Sequence, residues 1–201
     1  MRILLSILFA AGAGTLCGQS AADIVTAART QVGKTVIYDP AYVSLKYPGG
    51  DVPEDRGVCT DVIIRALRVS LAVDLQKVVH EDMAANFSAY PKTWGLKTTD
   101  KNIDHRRVLN LQAFLKRRGF SLPATTEAAD YQPGDLVTCT VPPKLPHVMI
   151  VSDRKTADGR PLVIHNIGRG AQEEDCLFTY PLTGHYRWKV EKPAATPAKA
   201  R

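Results

Sequence analysis

The hydrophobic rhythm of this chain changes once, near Pro123, and that change restricts the fold more than any other feature. Before it, apolar residues recur at three- and four-residue intervals. Val62, Ile63, Ala66 and Leu67 mark one helix face in this way. Helices are expected over residues 21–32, 59–71, 75–87 and 109–118, with Gly33 and Gly119 stopping the first and last. After it come short β-branched or aromatic runs at residues 135–141, 147–153, 162–166, 176–180 and 185–188. Asp158-Gly159 is a hairpin signal between the second and third of these runs. Helices followed by a strand meander give an α+β layout, with the helices packed on one face of an antiparallel sheet of about five strands.

The first residues carry a different signal. Arg2 precedes an apolar run over residues 3–16, and small and polar residues follow to Ser20. That is the pattern of a secretory signal peptide, and the run is shorter than the roughly 20 residues that span a bilayer. Residues 1–20 are therefore read as a leader, 21–191 as one domain, and the Ala-, Pro- and Lys-rich 192–201 as a disordered tail. The expected location is periplasmic or secreted, with no membrane span once the leader is removed. The net charge of +6 favours solubility and weak steering of polyanions. No aromatic-interleaved basic stripe accompanies it, so nucleic acid is not an expected partner. The chain is taken to be a monomer.

Past the leader, three cysteines remain, Cys59, Cys139 and Cys176. An odd count leaves one thiol over. Cys139 and Cys176, both in strand-like runs, could pair and leave Cys59 free. Cys59 follows a breaker-rich loop and Gly57, and falls in the first turn of a helix. Unpaired N–H groups and the helix dipole there favour a thiolate, the reactive form. The alternative is a small buried core residue. The loop, over residues 39–55, is long enough to be functional, and Tyr38, Tyr42 and Tyr47 could line a groove beside it.

Two histidines complete a candidate constellation. His147 opens one strand and His165 closes the next, so a hairpin through Asp158-Gly159 brings both to the same end of the sheet. A thiol hydrolase needs such residues: a thiolate to attack a carbonyl, an imidazole to move the proton, and a third group to hold that ring. N–H groups at the helix start could serve an oxyanion. His80, His105 and His185 have weaker claims. The His105-Arg106-Arg107 cluster could hold a substrate carboxylate, or be a surface paired with Asp100 or Asp104. A zinc site from Cys59, His147, His165 and Cys139 lacks the close paired spacings of structural zinc. Neither metal nor cofactor is expected.

The order of motifs adds a resemblance. Gln132-Pro133-Gly134-Asp135-Leu136-Val137, then His147-Val148-Met149-Ile150-Val151, then Val163-Ile164-His165 resembles the NlpC-type papain-like amidases. Within that superfamily, PAYVSLKYPGGDVPEDRGVCTD, NFSAYP, NIDHRRV and VIHNIGRGAQEED look very like domain of unknown function family 1287. The resemblance implies a papain-like NlpC-type fold over residues 21–191. It also implies Cys59 as nucleophile, His147 as base and then acid, and His165 as orienting group, with Asn166 as fallback. Val58 stands where the superfamily usually has a polar residue, and Asp61 follows instead. Asp61, Tyr38, Arg56, Asn166 and Arg106 are the candidate substrate contacts. The activity implied is an exported thiol amidase or endopeptidase acting on peptidoglycan peptides. An acyltransferase or thioesterase on the same fold, or a non-catalytic wall-binding module, are the alternatives.

Overall fold

A computed structural model describes residues 14–189. The leader and tail expected from sequence fall outside this range, apart from the backbone of residues 14–20, which runs into the first helix. The helices are α1 (Gly14–Arg29), α2 (Cys59–Leu71), α3 (Leu75–Ala85) and α4 (Val108–Arg117). Two short strands, β1 (Ile37–Tyr38) and β2 (Arg56–Gly57), pair in parallel. The remaining strands are β3 (Ser121–Leu122), β4 (Leu136–Val141), β5 (Leu145–Lys155), β6 (Pro161–Asn166), β7 (Ala171–Glu174) and β8 (Leu182–Tyr186). They form one antiparallel sheet in the order β3-β8-β4-β5-β6-β7.

Alternation along the strands splits the core in two. Leu136, Val148, Ile150 and Ile164 pack with the four helices, while Val137, Met149, Val151 and Val163 face the opposite side with Tyr131 and Leu177. Both faces of β5 and β6 are therefore covered, which is why their sequences are nearly continuous in apolar residues. Helix α2 lies at the centre, buried from Cys59 to Leu67. At its start the Val58 N–H donates to the Asp61 carboxylate at 2.7 Å, satisfying one of the free donors. At its end Ala72 turns left-handed, at φ 54°. Only glycine fits two residues before Cys59, because a Cβ on Gly57 would lie 2.8 Å from Asp61 Oδ2.

The sheet has six strands rather than about five, and one expected strand is replaced. Residues 176–180 form a turn, with the Thr179 N–H donating to the Cys176 carbonyl at 3.1 Å, and Leu177 buried in the second core. The strand lies just before it, at Ala171–Glu174, a polar edge that hydrophobic patterning overlooks. It is held by pairing to β6 and by Glu173, whose carboxylate accepts from Arg29 of α1 at 2.8 Å. The long loop is laced down. Arg65 of α2 reaches Asp51 at 3.0 Å and donates to the carbonyls of Val52, Pro53 and Arg56. Gln76 donates to Lys46 O at 3.0 Å and accepts from Gly50 N–H at 2.9 Å. These contacts give a loop without its own ladder the backbone partners it needs.

Candidate active site

Helix α2 presents Cys59 as its first residue, almost fully buried. The backbone N–H groups of Val148 and Thr60 point at its sulfur and favour a thiolate. Burial nevertheless pushes the thiol up to about 12, and the nearby Asp61 charge adds to the rise. The expectation that the helix start eases ionisation is thus overturned: loss of hydration outweighs two donors and a dipole. All three thiols are free, so Cys139 and Cys176 do not pair.

The β5–β6 hairpin forms with Ile150 opposite Ile164 and brings the two expected histidines into contact. His147 Nε2 lies 2.8 Å from His165 Nδ1, and His165 Nε2 lies 2.9 Å from Glu174 Oε1. Cys176 Sγ is 3.4 Å from the same His165 nitrogen. The carboxylate fixes the proton order. It only accepts, so His165 carries its proton on Nε2 and accepts at Nδ1. His147 must then donate from Nε2, which leaves its Nδ1 with the lone pair of a base. Arg169, at 2.9 Å, holds Glu174 from the solvent side.

Among the described residues no hydrogen bond joins Cys59 to either imidazole. The sulfur meets the amide of Val148, the residue following His147, so thiol and base are one peptide unit apart. By strand alternation the His147 ring shares the face of Met149, whereas α2 covers the face of Val148. Ring and sulfur thus lie on opposite faces of the sheet, and bringing Nδ1 to the sulfur takes a backbone shift at the start of β5, not a change of rotamer alone.

The other expected contacts have separate places. Asn166 donates to the Gly57 carbonyl at 3.0 Å, tying β6 to the turn before Cys59 and leaving the position beside His147 to His165. Asp61 accepts from Val58 N–H and from Arg106 Nε and Nη2, both at 3.0 Å, so its charge is matched inside the protein. Arg106 also donates to the carbonyls of Ala41 and Asp39 in the long loop. Arg56 sits nearer solvent, paired with Asp55 and Asp39. Tyr38, Cys59 and Arg106 line a cavity of about 200 Å³ together with Trp94, Val108 and Pro146. Sequence reasoning passed over Trp94, whose ring lies 4.2 Å beneath the Arg107 guanidinium. It also passed over Glu174 and Cys176 as partners of His165. A larger hollow of about 510 Å³ near Trp188 contains none of these residues.

A family model, a domain of unknown function (DUF1287), matches residues 25–188. The chain belongs to this family. It is 57% identical over 168 residues to the protein YijF of Escherichia coli (strain K12), described as uncharacterized, with 84% of this chain and 82% of that protein covered. Among solved structures it is similar to NlpC1 from Trichomonas vaginalis, with a TM-score of 0.42 at 16% identity over 85% of this chain. The chain spans 46% of that protein's length. It is also similar to an N-acetylmuramoyl-L-alanine amidase from Bacteroides uniformis ATCC 8492, with a TM-score of 0.48 at 12% identity. That match covers 86% of this chain and all of the amidase (100%).

The buried histidines of this DUF1287 chain make its stability depend on pH. Burial pulls His147 down to about 3, with the neighbouring His165 adding to the effect. His105, also buried and with no partner for Nδ1 among the described residues, is lowered to about 4, again by burial first. The unfolded chain takes up these protons near pH 6.5, the folded one only near 3 to 4. Unfolding is therefore favoured progressively as pH falls through that window, at roughly 1.4 kcal/mol per pH unit for each histidine. Urea titrations at pH 7, 5 and 4 should show the midpoint falling, and His105→Leu should flatten the curve. An unchanged slope in that variant contradicts the assignment.

Proposed function

We propose that this DUF1287 protein is an exported cysteine amidase or endopeptidase that cuts an amide bond in peptidoglycan peptides. The observation that carries this reading is the placement of one helix-start thiol against the strand that begins an imidazole–imidazole–carboxylate relay. Both reacting groups rest neutral, since the thiol is held at about 12 and His147 at about 3. Once the start of β5 shifts to bring the ring across, the thiol proton passes to His147 Nδ1 as the sulfur attacks, rather than beforehand. A C–S bond forms at the carbonyl carbon, and the oxyanion is met by the amide at the start of α2. The His147 imidazolium then gives its proton to the leaving amine as the C–N bond breaks. Water, activated by the same ring, releases the acid from the thioester.

His165 and Glu174 set the tautomer of the resting ring, with its proton on Nε2 and Nδ1 left free as the base. Tyr38 and Trp94 provide flat walls for the substrate, and Arg106 provides shape there because Asp61 already matches its charge. Asp61 and Asn166 are assigned to positioning the Cys59 turn, and Arg56 to the solvent-side approach. The signal-like leader supports export, and among the described residues no helix is long and apolar enough to cross a membrane.

The test is incubation of the purified protein with muropeptides, followed by mass analysis. New amine and carboxyl termini are expected. Loss of an acyl group without a new amine would point to an acyltransferase or thioesterase. Retention on cell walls with no turnover would point to a binding module. Either result removes the amidase reading.

A further inference from the structure

We propose that His165, Glu174 and Cys176 form a zinc site behind the histidine pair, and that zinc there switches the base off. One ligand atom from each, Nε2, a carboxylate oxygen and Sγ, lies within 4.8 Å of the others. Two of the separations are 2.9 Å and 3.4 Å. Tetrahedral zinc, with bonds of about 2.0–2.3 Å, places its ligand atoms roughly 3.3–3.6 Å apart. The His165–Cys176 separation already falls in that range, and the His165–Glu174 pair must open by a few tenths of an ångström. Imidazole, thiolate and carboxylate are the three ligand types zinc takes, and three protein ligands leave a fourth position for water.

The fold supplies the site from two adjacent strands. His165 lies in β6 opposite Gln172, and Glu174 is two residues further along β7, on the same face. The chain then turns, with the Cys176 N–H donating to the Glu174 carbonyl at 3.1 Å, which brings the sulfur back over the ring. Glu174 is partly exposed, so an ion can enter from solvent along its side of the group. His165 is buried and fixed by its bond to His147.

The consequence for the base follows from proton accounting, and this half rests on the function proposed above. Without metal, both rings carry their protons on Nε2. Zinc binding at His165 Nε2 displaces that proton to solvent, and the Cys176 thiol loses its own. The proton between the rings moves from His147 Nε2 to His165 Nδ1. His147 then accepts at Nε2 and takes a solvent proton on Nδ1 to stay neutral. The nitrogen that would receive the Cys59 proton is filled.

The experiment uses the whole protein, with zinc chloride and cobalt chloride as probes. One equivalent of zinc is expected to bind by calorimetry. Loss of a direct ligand in Cys176→Ser or Glu174→Gln should weaken binding at least as much as loss of an outer-shell partner does, by about 10–100-fold. Cys59→Ser should bind as wild type. Cobalt should show a thiolate charge-transfer band in wild type and Cys59→Ser, absent from Cys176→Ser. Circular dichroism checks that each variant folds, and Glu174→Gln carries the test if Cys176→Ser does not.

No saturable binding, or a band that disappears with Cys59 and survives loss of Cys176, overturns the site. Nitrogen-15 NMR reads the switch: zinc should move the His147 proton from Nε2 to Nδ1. Bound zinc with that proton still on Nε2 overturns the switch alone. Zinc should also slow muropeptide cleavage. If the metal-free protein cleaves nothing, the function proposed above fails, while binding and NMR still decide the site.

Discussion

Alanine at position 59 is expected to reduce muropeptide cleavage by about 10⁴-fold or more, to the level left when a nucleophile is deleted from a working site. The size follows from the chemistry, since without the sulfur no thioester forms and water must attack the amide directly. The variant should fold normally, because a side chain of this size leaves little void when trimmed to a methyl group, and circular dichroism checks it. His147→Ala should lose a comparable factor, and Cys59→Ala/His147→Ala should be scarcely worse than either, as for groups that act as one unit. Cys176 is the competing thiol, for it already touches His165 at 3.4 Å. If Cys176→Ser loses the large factor while Cys59→Ala keeps its rate, the nucleophile has been misassigned. Because Cys59 is buried and its thiol held at about 12, the resting protein should also resist iodoacetamide at this position near neutral pH. Rapid labelling there would contradict the neutral resting state.

The fold was legible where hydrophobic period alone decides an element. The run from Cys59 to Leu71 reads as a helix and is one, because its apolar positions and its position after Gly57 agree. Strands β4, β5 and β6 declare themselves in the same way, by β-branched and aromatic residues, whereas β8 runs over Leu182–Tyr186, three residues before the start expected at 185 and ending short of 188. The polar edge strand Ala171–Glu174 does not, since its stability comes from β6 and from Arg29, 144 residues away from its partner Glu173. In the candidate site, the meeting of His147 and His165 follows from one hairpin turn, which sequence shows. Glu174 and Cys176 could not be read as partners, because their approach to His165 depends on that hidden strand and the turn after it. The pKa of Cys59 was misread for a different reason. A helix start is visible in a sequence, whereas the depth of burial that overrides it depends on the packing of α2 beneath β5.

Asp61 and Arg106 mark the second large expected effect, and they separate a structural role from a substrate-binding one. The pair is buried on both sides, bidentate at 3.0 Å, and it ties three segments: the turn before α2, the short helical turn at Asp104–Arg106 and the loop at Asp39 and Ala41. Removing one partner strands the other charge away from water, at a cost of about 3–5 kcal/mol. For a chain of this size the melting temperature should fall by roughly 6–20 °C in Arg106→Met or Asp61→Asn. Arg106→Met with Asp61→Asn should lose less than the sum, since no unpaired charge remains, and the difference is the coupling energy of the pair. Asp61→Asn should be the milder single change, because its amide oxygen can still accept from Val58. A surface arginine used only to hold a substrate carboxylate would behave otherwise: its loss would raise KM and leave the melting curve where it was. Thermal denaturation of the four proteins, with KM measured on any that cleave, distinguishes the two. An Arg106→Met protein as stable as wild type means that the ion pair does not hold the Cys59 turn in place.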